Sequence, residues 1–385
     1  MKNFEYSDRI KKLPLYLFAT IEQKIEEKRK KGVDIINLGI GDPDLPPDRK
    51  IKEALCEALE EEGNHRYSSS VGESWYREAV AEWFEKRFGV DLDPEKEITC
   101  VIGSKEGLAN LARAFVNRGD AVLVPNPGYP VYGAGATTLC EGKTIDMPLL
   151  EENNFLPVLS NLPRDKRLMY ANYPNNPIGA TATTGFMKEL SDFISRSKTI
   201  LAYDNAYSEM TYDDYVAPSM LQYNRDVIEF HSLSKTFNMT GFRIGFAVGN
   251  SDLVYGLRKV KSQVDSGAPI FIQKAAAKAL MTYKNGKKPD FVNKSIKIFQ
   301  ERRDVCVREL NKIGLKCNTP KGTFYIWIKI DGNSMEFADK ALDVGVVVPP
   351  GIGFGEYGEG YIRIALTQPK ERIKEAVERL EGIIE

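Results

Sequence analysis

The sequence predicts an α/β chain, a mostly parallel β-sheet covered by helices on both faces, followed by a smaller α+β region. Three observations predict it. From about residue 48 to 250, helical patterns alternate with short apolar runs: ITCVIG, AVLVP, RLMYANY, TILAYDN, VIEFHSL and IGFAVGN. Parallel strands need long crossovers and cover on both faces, and this alternation supplies both. Beyond residue 250 the pattern changes to long helices followed by strands, and 385 residues are too many for one small core. The expected division is an N-terminal arm with part of the smaller domain (1–47), a large domain (48–270) and a small C-terminal domain (271–385).

In chain order, the arm comes first. Phe18 to Lys31 reads as a helix stopped by Gly32, and Asp34 to Ile40 (DIINLGI) as a short strand entering a glycine turn. The alternating helix and strand region follows. Long helices are expected around 251–265, 268–284 and 289–313, with KNGKKP (284–289) as a solvated turn between the last two. The strands TFYIWIKI, GVVVPP and YIRIAL then precede a terminal helix from Pro369. No internal repeat or low-complexity segment interrupts this order.

Composition narrows the function classes. Lys plus Arg (53) nearly balances Asp plus Glu (54), so no net field favours nucleic acid or anionic lipid. The start, MKNFEYSDRIKKLPLY, scatters charge, and no later stretch reaches bilayer length, so a cytoplasmic location without membrane contact is expected. Five dispersed cysteines without a CxxC pair fit a reducing compartment and offer neither a disulfide frame nor a zinc site. With two histidines, His65 and His231, a His-rich metal centre has little material, and no metal is expected.

In open sheets of this kind, ligands bind beyond the carboxyl ends of the strands. Those loops carry Ser104, Asn176, Asp204 and Ser232 to Lys235. A single loop lysine is ordinarily a solvated charge, since only a desolvated or cation-flanked amine is a good nucleophile. Here Lys235 follows an apolar strand, and Ser232, Ser234 and Arg243 add hydroxyl groups and a planar cation suited to a phosphate dianion. One stretch can thus hold both an aldehyde and a phosphate.

The run SLSKTFNMTGFRIGF resembles the lysine motif of the class I/II aminotransferases, which belong to fold type I of the pyridoxal 5'-phosphate (PLP) enzymes. The resemblance extends along nearly the whole chain. It implies a large domain with a mostly parallel seven-stranded sheet, PLP as cofactor, and Lys235 as its Schiff-base partner. In ITCVIGSKEG, the strand, glycine turn and helix start offer backbone N–H groups to a phosphate at Ser104 and Lys105; without the resemblance this is a helix cap. In NPGYP the resemblance implies that Tyr129 stacks on the pyridine ring, and in YPNNPIG that Asn176 bonds the cofactor's phenolic oxygen. Ile178 stands where the family usually has threonine, at a residue that shapes the turn. Asp204, in YDNAY at the end of a buried strand, needs a partner, and a protonated pyridine nitrogen provides one. Tyr207 is implied as a donor to the phenolic oxygen.

Arg363, on the alternating strand YIRIAL, suits a substrate α-carboxylate through two parallel bonds. Tyr16 and Gly41 (NLGIGDPD) resemble the arm and turn that close over substrate, and Tyr67 (HRYSSSVGE) the tyrosine that reaches the phosphate of a neighbouring subunit. This implies a homodimer with shared active sites. The match of Gly353 to Gly358 to GxGxxG precedes a strand rather than a helix, so the dinucleotide reading fails.

NHRYSSSVGE, FHSLSKTFNMTGFRIGFAVGN, DSGAPIFIQKAA and GVVVPPGIGFGEYGEGYIRIAL are most similar to LL-diaminopimelate aminotransferases. That likeness implies exchange between LL-2,6-diaminopimelate and 2-oxoglutarate in lysine biosynthesis. Aspartate, alanine and aromatic aminotransferases share the core, a PLP β-lyase would keep the same lysine and aspartate, and an inactive PLP-binding regulatory protein would keep the fold.

Overall fold

The computed structural model describes residues 4–13 and 17–384. Eleven strands form three sheets in it: β1 (Ile36–Asn37), β2 (Ile98–Val101), β3 (Ala121–Asn126), β4 (Lys143–Pro148), β5 (Leu168–Asn172), β6 (Ile200–Asp204), β7 (Ile228–Ser232), β8 (Gly245–Gly249), β9 (Tyr325–Lys329), β10 (Val346–Val347) and β11 (Tyr361–Ala365). Seven make the large sheet, in the order β2-β8-β7-β6-β5-β3-β4. Neighbours pair in parallel from β4 through β7, and β8 runs antiparallel to both β7 and β2.

Local chemistry starts and stops the covering helices. Asp48 caps Arg49–Glu60 by accepting from the Lys50 amide, Thr183 caps Thr184–Ser195 through the Phe186 amide, and Asn250 caps Ser251–Val264 through Asp252 and Leu253. Helix Ser74–Phe88 ends at Gly89, whose φ of 66° is left-handed. One face of the sheet packs Val80, Trp83, Phe186 and Leu190 against Leu201 and Phe246. The other packs Leu108, Leu111, Val254 and Leu257 against Tyr170 and Phe230. Both faces are therefore covered, as the unbroken apolar strands require.

Two of the smaller elements were not foreseen from the sequence. Strand β4 lies at the sheet edge with Met147 as its one buried side chain, so KTIDMP carries no apolar run. Helix Ser334–Asp343 is short and begins at Asn333, which accepts from the Met335 and Glu336 amides. The expected strand DIINLGI is regular only at Ile36–Asn37, paired in parallel with β10.

The β7–β8 connection matters most for the site. It returns antiparallel, with Ser232 opposite Gly245, so the twelve residues between them begin and end at the same edge of the sheet. Lys235 and Arg243 are both on that return, at the edge where β2, β3, β5, β6 and β7 end. Facing it, β9 and β11 pair antiparallel with Arg363 opposite Trp327 and Ala365 opposite Tyr325. Ile362 and Ile364 fill the interior on one side of β11, which sends Arg363 to the other.

Candidate active site

A cavity of about 330 Å³ opens between the strand ends and the β9–β11 sheet. Its walls hold Lys235, Asp204, Tyr207, Asn176, Ser104, Lys105, Tyr129, Ser232, Ser234, Arg243, Arg363 and Gly41. These are twelve of the fourteen residues singled out in the sequence. Tyr67 is 90% exposed and does not line the cavity of its own chain. Tyr16 lies outside the described residues. Among the charged lining residues, Lys105, Lys235, Arg243 and Arg363 face Glu22 and Asp204, so cations predominate.

The amine at the centre is partly buried. Lys235 Nζ donates to the Gly41 carbonyl at 2.7 Å and lies 5.6 Å from the centre of the Phe324 ring. Burial brings its ammonium down to about 8; Asp42 opposes the change, and the Arg243 and Arg363 charges reinforce it. Gly41 has no room for a side chain, because an added Cβ would sit 1.8 Å from the Tyr325 hydroxyl.

Asp204 ends β6 at 5% exposure. Its Oδ2 accepts from the Tyr132 hydroxyl at 2.7 Å, while Oδ1 is buried with no hydrogen-bond partner among the described residues. Burial pushes the carboxyl up to about 6, against the Tyr132 hydrogen bond, the Ala206 amide and the nearby His231 ring. Asn172 fastens this corner: its Nδ2 donates to the Asp204 carbonyl at 2.7 Å, and its Oδ1 accepts from the Asn176 amide at 2.8 Å.

Arg363 bridges the two sheets. It donates from Nη1 to Asn176 Oδ1 at 2.9 Å and from Nη2 to the Gly39 carbonyl at 2.6 Å. The guanidinium carbon lies 4.3 Å from the Tyr325 ring centre and 4.7 Å from that of Phe354, so two aromatic rings set its plane. Tyr207 meets the Tyr325 hydroxyl at 3.2 Å, and burial pushes its phenol well above the usual range, keeping it protonated.

At the other end of the cavity, Ser104 opens the twelve-residue helix Ser104–Phe115. Gly103 precedes it at φ 98°, and a Cβ there would come 2.6 Å from Arg243 Nη2. Arg243 donates to the carbonyls of Thr240 (2.9 Å) and Ile102 (3.4 Å), and Ser232 Oγ accepts from the Ser234 amide at 3.3 Å. Hydroxyl groups, a helix N-terminus and a guanidinium thus converge on one anion-sized corner.

Ten lining residues were not singled out in the sequence, and four of them shape the contacts described above: Tyr132, Asn172, Tyr325 and Phe354. A signal existed for two of them. Asn172 is a polar residue ending an apolar strand, as Asp204 is, and Tyr132 follows Tyr129 by three residues, at the start of the helical segment Val131–Thr137. Tyr325 and Phe354 reach the site through tertiary packing alone.

The residues present fit PLP. Asp204 Oδ1 is a buried acceptor awaiting an N–H, the Ser104–Arg243 corner suits a phosphate, and a depressed amine stands between that corner and Arg363. A model of the family "Aminotransferase class I and II" matches residues 33–380. An LL-diaminopimelate aminotransferase of Aquifex aeolicus is 49% identical, covering 99% of each chain, and one of Moorella thermoacetica is 47% identical, covering 98% of this chain and 97% of its own. An aspartate aminotransferase mutant of Thermus thermophilus superposes with a TM-score of 0.93 at 26% identity, over 99% of this chain and all of the other. With its fold, its site and these likenesses in agreement, the chain belongs to the class I and II aminotransferases, PLP-dependent enzymes of fold type I.

Proposed function

We propose that the chain exchanges an amino group between LL-2,6-diaminopimelate and 2-oxoglutarate, with PLP held at Lys235. The observation that carries the reading is the convergence of Lys235 Nζ, the unpartnered Asp204 Oδ1 and Arg363 on one cavity. When bound, PLP supplies an aldehyde that takes up amines and a ring that withdraws electrons from the reacting carbon.

The chain's own groups do the rest. Asp204 accepts an N–H from the ring nitrogen at Oδ1, and Tyr132 holds its other oxygen in place. Arg363 occupies the Asn176 side-chain oxygen, so the Asn176 amide N–H would bond the phenolic oxygen, with the Tyr207 hydroxyl as a second donor. Tyr129, on the cavity wall, would stack on the ring. Ser104, Lys105, Ser232, Ser234 and Arg243 take the phosphate. Arg363 grips the α-carboxylate and so fixes the orientation of the Cα–H bond. The Lys235 amine would take the proton from Cα and return it across the site. An amine brought down to about 8 suits that exchange near neutral pH. The turn at Gly41 would close over the substrate.

The assembly is proposed as a homodimer, because Tyr67, solvent-exposed in the single chain, is then free to reach the phosphate in a second copy. The location is proposed as cytoplasmic. The five cysteines are unpaired, and no helix among the described residues is long and apolar enough to cross a membrane. The diaminopimelate assignment draws on the names of the Aquifex and Moorella relatives.

Mixing cofactor-loaded protein with single amino acids, without acceptor, tests the substrate. Rapid change of the visible absorption with LL-diaminopimelate, reversed by 2-oxoglutarate, is expected. Equal conversion by aspartate or alanine would overturn the substrate, and release of pyruvate and ammonia would indicate a lyase. Sedimentation as a monomer would overturn the dimer.

A further inference from the structure

Behind the site, on the other face of the sheet, lies a buried polar cluster with no part in the chemistry above. Glu229 and His231 alternate with Phe230 along β7. Phe230 joins the cluster of Val101 and Leu108, whereas His231 stacks on Phe246 at 4.9 Å and meets Trp83 and Phe84 edge-on. Glu229 is 0% exposed, and its carboxylate meets four groups: Asn205 Nδ2 at 2.8 Å, Ser219 Oγ at 2.7 Å, the Met220 amide at 2.8 Å and His231 Nε2 at 2.7 Å. A buried carboxylate is costly unless paired in this way, and apolar residues would fill an aromatic pocket more cheaply.

These contacts reach the two segments that carry the reacting groups. Asn205 follows Asp204 directly, and its amide donates to the Phe230 carbonyl at 2.9 Å, prolonging the ladder one residue past the Asp204–Phe230 pair. His231 precedes Ser232 and the Lys235 turn, with Nδ1 3.4 Å from Ser208 Oγ. Two further ionisable groups lie within electrostatic reach, Tyr203 beside Glu229 and Asp204 beside His231. None of Glu229, His231 and Asn205 lines the cavity.

We infer that Glu229 and His231 are a positioning pair for amino transfer, tying the end of β6 to the end of β7 through Asn205 and so fixing Asp204 relative to Lys235. The inference rests on the roles proposed above for those two residues.

The test compares His231→Leu, His231→Gln and Asn205→Ala, each loaded with PLP, for kcat, KM, melting temperature and the pH midpoint of the bound cofactor's visible absorption. His231→Leu and Asn205→Ala are expected to lower kcat by roughly tenfold to a hundredfold and to move the midpoint, with KM changed by less than about twofold. His231→Gln, which keeps a donor for Glu229, is expected to recover most of the rate. Variants that melt earlier but keep the parental kcat and midpoint would overturn the inference. Should His231→Leu not fold, Asn205→Ala decides alone, because it cuts the tie and leaves the pair intact. A parent protein that takes up no PLP would instead refute the proposed function, which separates the two failures.

Discussion

Replacing Tyr132 by Phe isolates the control of Asp204. The Tyr132 ring is buried and stacked on Tyr170 at 4.9 Å, so Phe keeps the packing and deletes only the hydroxyl that donates to Asp204 Oδ2 at 2.7 Å. A hydrogen bond to a charged acceptor contributes about 1.5–3 kcal/mol, so its loss raises the carboxyl by roughly one to two pH units. Starting from about 6, Asp204 would then titrate around 7 to 8. PLP needs the carboxylate form, so affinity falls as pH drops through that value. The ratio of variant to parent dissociation constants isolates this residue, because other ionisations cancel. It should be about two to ten at pH 7 and approach one near pH 9. Equilibrium titration of apo protein with PLP between pH 6 and 9, followed by absorption or tryptophan fluorescence, measures it. A ratio that does not change with pH would refute the coupling between Tyr132 and Asp204.

Three further outcomes follow from the same geometry. Lys235 has an ammonium brought from its ordinary 10.5 down to about 8, so the apo protein carries a cost below pH 8 that disappears as pH rises from about 8 to 10.5. Lys235→Met should therefore abolish activity yet stabilise the apo protein at pH 7, by about 1–3 kcal/mol in denaturant titration; equal or lower stability contradicts the burial argument. Arg363→Lys removes a planar fork set between Tyr325 and Phe354 and should lower kcat/KM for the amino acid by roughly a hundredfold, with PLP affinity unchanged; a loss confined to PLP binding would reassign the residue. Gly41→Ala forces a methyl group against the Tyr325 hydroxyl and should cost about 1–3 kcal/mol of stability as well as activity, and parental values for both would show that the turn yields freely.

The features legible in the sequence were those written in contiguous residues. The apolar runs of the central strands announced the covered sheet, and ITCVIGSKEG, YDNAY and SLSKTFNMTGFR each kept its loop residues next to the strand that positions them. Twelve of the proposed site residues consequently meet in one cavity. What escaped was set by pairing between distant segments. Strand β4 has no apolar signature because Met147 is its one buried side chain, and Tyr325 reaches Gly41 and Tyr207 only because β9 pairs with β11 opposite the strand ends. The contact between Lys235 and the Gly41 carbonyl joins residues 194 apart, and nothing local encodes it. Tyr67 shows the converse. Its motif is clear in sequence, but in this chain it is exposed and away from the cavity, and the role implied for it belongs to the proposed dimer.

In the proposed enzyme one amine, Lys235, holds the cofactor. Reducing the PLP-loaded protein with borohydride and mapping its peptides by mass spectrometry tests this directly. A single phosphopyridoxyl adduct on Lys235 is expected. An adduct on another lysine, or none on a protein that still turns over amino acids, would contradict it.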